Sequence, residues 1–268
     1  MSSESDYQVT LCTSGAQLRG ACDVRLTVFV KEQGYALSDE IDQYDPLAAH
    51  FILTSNADPS TVLGTLRLLP YPLPIPKPDA EGSEPDPCSS YPLGGSRSES
   101  AIAGDFVSAA WSAHPPVKGR RDPAETKEEE RWTEEEVPEL GGAKLGRLAL
   151  MKEVRGKGLG HLLVREAERW LLRVLGSGEA VNKGAFGPRP SKQGAAAKGG
   201  QEEEGERGEG EGDEEGKKLD SIIIKLSSQV YAIGFYKKLG YTPVGEQYDE
   251  DGAPHQLCYK QVFLEKSA

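Results

Sequence analysis

The chain has 268 residues, 37% of them hydrophobic, and a formal net charge of −12 at neutral pH. Two acidic runs carry that charge: residues 120–139 hold nine acids against four bases, and residues 201–216 hold nine against one. A surface that tracks nucleic-acid phosphates needs clustered Lys and Arg, so this balance speaks against nucleic acid as a partner. Four cysteines without a Cys-x-x-Cys and four histidines without ligand spacing speak against a metal site and fit reduced thiols. The polar start "MSSESDYQVT" and the lack of any apolar run near ~20 residues lead us to expect a soluble cytoplasmic protein with no membrane span.

In chain order, "YQVTLCT" (7–13) alternates as a strand does. Ser14 with Gln17 three residues on is a capping-box pattern, and Leu18, Cys22, Leu26 and Phe29 follow at helical spacing to about Lys31. "HFILTS" (50–55) and "VLGTLRLLP" (62–70) read as a hairpin around "NADPS". Residues 71–143 are rich in proline and acids and read as an inserted loop, with one apolar island, "AIAGDFVSAAW" (101–111), able to pack as a lid or bind a partner. "KLGRLALM" (144–151) is a strand, and Leu163, Ala167, Trp170, Leu171 and Val174 mark one face of a helix. Residues 176–218 hold 12 glycines and a single aromatic, too little apolar surface to offset chain entropy, and read as disordered. "SIIIKLSS" (221–228) is a strand of the kind buried on both faces, "QVYAIGFYKKLG" (229–240) a helix, and "YTPVGEQY" and "HQLCYKQVFLE" two final strands. Without the two insertions the chain is about 150 residues, the size of one domain.

"MKEVRGKGLGHLL" (151–163) places three glycines between a strand and an amphipathic helix. The first amides of a helix have no partners within it and point outward, and glycines let an anion approach the backbone. Such a stretch suits a phosphate. A tight turn with no ligand is the other reading. Leu159 stands where the Walker pattern needs a hydroxyl, and the glycines at 156, 158 and 160 miss the dinucleotide spacing.

The stretch does fit Arg/Gln-x-x-Gly-x-Gly/Ala, as Arg155, Gly158 and Gly160. In this it resembles the signature of the GNAT superfamily of acetyl-CoA-dependent N-acetyltransferases. "YAIGFYKKLGY" (231–241) resembles that superfamily's second motif, and "VRLTVFVKEQG" (24–34), "SDEIDQYDPLAAHF" (38–51) and "DEDGAPHQL" (249–257) look like its ElaA-like branch. The resemblance spans the core and neither insertion. It implies an α/β fold over a single domain, residues 1–268: a mixed central sheet, flanked by helices, whose parallel fourth and fifth strands splay apart.

Carried over residue by residue, the resemblance places Leu148, Ala149 and Leu150 along the pantetheine arm of acetyl-CoA through main-chain groups. Val154, Arg155, Gly156, Lys157, Gly158, Leu159 and Gly160 would hold the pyrophosphate, with Gln229 near the arm. Ordinary solvated turn residues are the alternative for Arg155 and Lys157, and simple helix entry for Gln229. Tyr236 is expected to be the acid that protonates the departing thiolate, turned about 100° from a core stripe of Ala232, Phe235 and Leu239. A packing aromatic is the alternative. Glu32, Glu40, Asp42 and His255 are the candidates to hold or deprotonate the acceptor, with a solvated-loop or structural role equally open for each. The implied activity is transfer of an acetyl group to a primary amine on a small molecule or a protein, without metal. A different acyl group, or a non-catalytic CoA-binding regulatory or scaffold protein, is the rival reading.

Overall fold

The computed structural model describes residues 3–42, 44–45, 48–71, 96–113, 133–135, 137, 142–176 and 221–263. The stretch expected to be disordered lies outside these residues but for Gly176, as do Cys88 and most of the proline-rich and acidic insertion. The strands are β1 (Tyr7–Leu11), β2 (Ala49–Ser55), β3 (Val62–Tyr71), β4 (Gly142–Leu150), β5 (Ser221–Gln229), β6 (Thr242–Glu250) and β7 (Ala253–Phe263). The helices are α1 (Gly15–Arg25), α2 (Leu37–Glu40), α3 (Glu99–Ala113), α4 (Gly160–Gly176) and α5 (Ile233–Lys238).

Ser14 caps α1 as its spacing predicts: Gln17 N donates to Ser14 Oγ at 3.3 Å and Ser14 N to Gln17 Oε1 at 3.1 Å. Such a cap is worth ~1 kcal/mol. The helix runs on over Leu26–Glu32 as a wider turn, in which Gln33 N reaches back five residues to Val28 O at 3.1 Å. α4 needs no such help: of its predicted stripe Leu163, Ala167, Trp170 and Leu171 are sealed from solvent and Val174 is half-buried, with Val164 and Leu175 buried beside them.

The seven strands form one mixed sheet in the order β1-β2-β3-β4-β5-β7-β6. Every neighbouring pair is antiparallel except β4 and β5. α4 and α5 lie on one face, in the main core with Ile222, Ile224 and Leu226 of β5. α1 and its extension cover the other face through Ala21, Val24 and Val28, against Ile52 and Ala149. Ile223 packs with Tyr259 and Val137, so β5 is buried on both sides, as its continuous apolar run predicts.

The insertion at 71–143 is not all loop. Its apolar island forms α3, whose Phe106 meets the Trp170 ring edge-on at 5.2 Å and joins Ile102 and Val107 in the main core. Helical spacing of Ile102, Phe106 and Val107 allows this, but only the partner surface on α4 and β3 makes it pay in buried area. Farther along the insertion, Val137 is buried and its carbonyl accepts from Lys225 Nζ at 2.8 Å.

The β4–β5 pair decides where the sheet opens. Its parallel register covers only Gly142–Ile223, Ala143–Ile224 and Lys144–Lys225. At Gly142 the strands come so close that a Cβ would stand 2.0 Å from the Ile223 carbonyl oxygen. Beyond Lys144 the two strands part. On its other edge β4 is irregular against β3, the register passing from Thr65–Ala149 to Arg67–Gly146. Arg147 in that irregularity has a φ of 52°, rare for a residue with a side chain. A bulge of this kind bends a strand and re-aims its side chains.

Candidate functional site

The opening between β4 and β5 points toward the glycine stretch. After β4 the chain makes a short turn over Lys152–Val154, then Gly156 and Gly158 take φ of 72° and 77° before α4 begins at Gly160. Glycine adopts such values freely, and at Gly156 nothing would stand within 4 Å of a Cβ. Gly160 has a different reason: a Cβ there would meet the Phe235 ring at 3.3 Å. The amides of Gly156, Lys157, Gly158 and Leu159 make no hydrogen bond among the described residues. Val154 and Leu159 are buried and anchor the two ends of the turn. An open, glycine-lined bend with four unpaired amides at a helix start suits a phosphate group.

The two cations of this stretch behave differently. Arg155 donates from Nε to the Leu150 carbonyl at 2.8 Å and pairs through its NH1 with Glu32 at 2.7 Å. That bond holds the Glu32 carboxyl below its usual range. Glu32, expected at the acceptor, therefore stands beside the glycine turn, and one of the two Leu150 main-chain groups is occupied. Lys157 is exposed and has no partner among the described residues.

Glu40 and Asp42 also go elsewhere than expected. They join a charge network under the α1 extension with Asp45, Arg25, Arg67 and Arg147. Arg67 NH1 lies 2.7 Å from Asp42 and 2.8 Å from Asp45, and Arg25 NH1 lies 2.8 Å from Asp45. Arg147, swung over by the bulge, reaches Glu40 at 3.3 Å and Asp42 at 3.7 Å. Three carboxylates thus meet three guanidiniums, and Arg25, Glu40, Asp45 and Arg67 are all buried. Burial pushes the Glu40 carboxyl up against the pull of Arg147 and Arg25. Burial opposes charge on Asp45 too, but Arg67 and Arg25 prevail and hold it well below the carboxylate range. His50 donates from Nε2 to the Asp45 carbonyl at 3.0 Å, and its burial holds its pKa down at about 4, against the attraction of Asp45. A closed network of this kind binds its own members rather than a ligand.

Tyr236 is the buried residue of α5 rather than the one turned away. The helix is six residues long and is entered through a tighter turn at Val230–Ala232, so a phase counted on a uniform helix from Gln229 is displaced. Its ring meets Phe235 at 5.1 Å and Tyr241 at 5.7 Å, both edge-on. Burial, with the Cys258 thiol and the Tyr231 phenol nearby, pushes the Tyr236 phenol far above its ordinary value. Its hydroxyl makes no hydrogen bond among the described residues. Gln229 ends β5 and donates from Nε2 to the Tyr35 hydroxyl at 2.5 Å and to Gln33 Oε1 at 3.2 Å, tying the strand to the end of the α1 extension. His255 faces both Gln229 and Tyr248 across β7, and its Nδ1 donates to the Ala253 carbonyl at 2.9 Å.

On the α1 side of the sheet, where β4 and β5 part, lies a cavity of about 230 Å³. Lys144, Lys225, Leu226 and Ser227 wall it on the two parallel strands, and Tyr248, Glu250 and Leu257 on β6 and β7. Ser227 Oγ donates to a Glu250 carboxylate oxygen and lies 2.7 Å from the Tyr248 hydroxyl. The resemblance puts "KLSS" (225–228), with Ser227, along the slot, whereas Lys144, Tyr248 and Glu250 are not marked by the sequence. The available signal is parity: Lys225 and Ser227 are polar positions two apart after the apolar run Ile222–Ile224, which places both on one face. Among the described residues no group of His, Cys, Asp or Glu is placed to hold a metal ion, and no helix is long and apolar enough to cross a membrane.

The mixed sheet, with parallel fourth and fifth strands that part and with helices on both faces, has the strand arrangement that the resemblance implies. No family model matches the chain. Over 38 residues it is 47% identical to YyaT of Bacillus subtilis, and 50% identical to a second protein of that bacterium that is named as an acetyltransferase. Each match takes in 14% of this chain, and the chain spans 26% of the length of those relatives. Among solved structures, Escherichia coli ElaA is 15% identical with a TM-score of 0.46, covering 95% of this chain and 99% of its own. An acyl-CoA N-acyltransferase from Pseudomonas aeruginosa is 16% identical with a TM-score of 0.44, over 95% and 98%. At these values neither the substrates nor the activities of those proteins transfer to this chain.

Proposed function

We propose that this protein is a GNAT-type N-acetyltransferase that moves an acetyl group from acetyl-CoA to a primary amine by direct attack, both substrates bound together. The observation that carries the reading is the parting of β4 from β5 beyond Lys144, with the unpaired amides of Gly156 to Leu159 at its open end. A parallel pair that stops after three residue pairs leaves the facing edges of the two strands unpaired with each other beyond Lys144. In this reading the main chain of Leu148, Ala149 and Leu150 lines the slot for the pantetheine arm, one Leu150 group being taken by Arg155. The unpaired amides of Gly156 to Leu159 hold the pyrophosphate, those of Val154 and Arg155 being bonded to the Met151 and Lys152 carbonyls instead of free as the resemblance implies, and Lys157 adds charge of the right sign.

The amine nitrogen attacks the thioester carbonyl, the C–N bond forms, the C–S bond breaks, and the thiolate leaves while the amine gives up a proton. Holding both reactants in one slot supplies much of the rate, and a β4 amide facing the slot stabilises the oxyanion. Tyr236, like any phenol, is protonated in the neutral range, and its burial raises its pKa further. It therefore serves the leaving thiolate as a hydrogen-bond donor more readily than as a full proton source. Gln229 keeps the end of β5 in place through Tyr35 and Gln33.

The test is calorimetric titration of the chain with acetyl-CoA, followed by thiol release over a panel of amines. A Val at position 158 would have to adopt the positive φ of Gly158, so Gly158→Val is expected to weaken acetyl-CoA binding by at least tenfold. If Gly158→Val binds as tightly as the parent, or the parent does not bind, the reading fails.

A further inference from the structure

The cavity beside the slot contains two opposite charges that do not neutralise each other. Lys144 sits at the last β4–β5 pair, largely withdrawn from solvent, and its ammonium has no hydrogen bond or ion pair among the described residues. Its burial pulls its pKa down, against the influence of Glu250. Across the same 230 Å³ stands Glu250, whose carboxylate is fixed by Ser227 and, through Ser227, by Tyr248, and it has no cationic partner among the described residues. Lys225, the other cation in the wall, is already bonded to the Val137 carbonyl. Withdrawing a charge from water without a partner is costly, and the cost is met when a ligand brings the counter-charge.

We propose that the acceptor is a small zwitterion of the amino-acid type, its anionic group on Lys144 and its amine on Glu250. This rests on the acyl-transfer reading and specifies its second substrate. A molecule with both charges bridges the cavity with each of its ends against the opposite sign, which neither a plain diamine nor a plain acid can do. The volume is below the ~300–1,000 Å³ of sites for drug-sized ligands, so one small polar molecule suits it. Glu250 receives the ammonium where Ser227 borders the slot, and Glu250 or water takes the proton that the amine loses before attack.

The experiment uses the full chain with acetyl-CoA and three sets of acceptors: free amino acids, the matching amino-acid amides, and aliphatic diamines. Thiol release and product mass are read for each, with calorimetry of the free amino acids in the presence of CoA. The expected result is turnover of at least one amino acid, with kcat/KM at least tenfold above its amide. Lys144→Met should erase that preference by raising KM for the acid, Lys144→Arg should restore part of it, and both should bind CoA as the parent does. Amides or diamines used as well as the acids, a preference untouched by Lys144→Met, or no binding of any amino acid to the CoA-bound chain would overturn the proposal. A parent chain that fails to bind CoA at all instead overturns the acyl-transfer reading. Lys144-dependent binding of amino acids would then still report on the cavity.

Discussion

Two charged clusters lie on the same side of the sheet, one on each side of β4, and they have opposite logic. Under the α1 extension, Arg25, Arg67 and Arg147 meet Glu40, Asp42 and Asp45 in equal number and within ion-pair distance, so the cluster is balanced in charge. Beyond β4, Lys144 and Glu250 line one cavity without an ion pair between them, and Glu250 is held by Ser227, which also lies beside Tyr248. Both are costly places for charge. The first offsets the cost internally and so serves stability, whereas the second leaves it for a ligand and so serves binding. The bulge at Arg147 divides them, sending that side chain to the closed cluster instead of into the slot.

The sharpest way to break this contrast is to remove one member of the closed cluster. Asp45→Asn strips Arg25 and Arg67 of their shared carboxylate, and breaking a buried pair from one side costs about 3–5 kcal/mol. Urea unfolding measures it; a loss below about 1 kcal/mol would mean that the cluster is wet and the contrast false.

Next in size is the response to acid. The pKa of His50 is held at about 4, below its unfolded value, so the unfolded chain binds the proton first. The stability it contributes is whole above the unfolded pKa of ~6.5 and falls as the pH drops from there toward 4, by roughly 3 kcal/mol. Asp45, also depressed, adds a loss at lower pH still, as its carboxylate protonates. Glu40 has a raised pKa and runs the other way, its contribution shrinking as the pH climbs above the ordinary carboxyl range. Unfolding free energies measured from pH 7 to 4 should show the His50 slope, and His50→Gln, which retains a donor for the Asp45 carbonyl, should flatten it.

The smallest effect on folding is expected where the effect on binding is largest. Lys144→Met removes a half-buried ammonium that has no partner among the described residues, so its stability should stay within about 1 kcal/mol of the parent or rise. A large loss would show that Lys144 is a structural charge after all, and the two clusters would be alike.

The residues differ in how far the sequence alone reveals them. The Ser14–Gln17 cap, the α4 stripe, the doubly buried β5 and the left-handed glycines of the turn depend on neighbours within a few positions, and periodicity and spacing report those directly. Residues 101–111 show the limit of that information: their apolar pattern is visible, but their place in the core depends on Trp170, some sixty positions away. The resemblance places Glu32, Glu40 and Asp42 at the acceptor because they lie near the end of the first helix and in the loop that follows it. Their partners, Arg155, Arg147 and Arg67, come from other strands and turns and cannot be assigned by spacing.

What the sequence by itself determined is the set of local commitments: which segments are strands and helices, where the glycines free the backbone, and which stretches lack the apolar surface to fold. The tertiary structure alone decided which charges are satisfied and which are left facing a cavity. Charge pairing depends on distances of a few ångströms between residues far apart in the chain, and those distances exist only once β4 has been bulged, paired with β5 for three residues, and released.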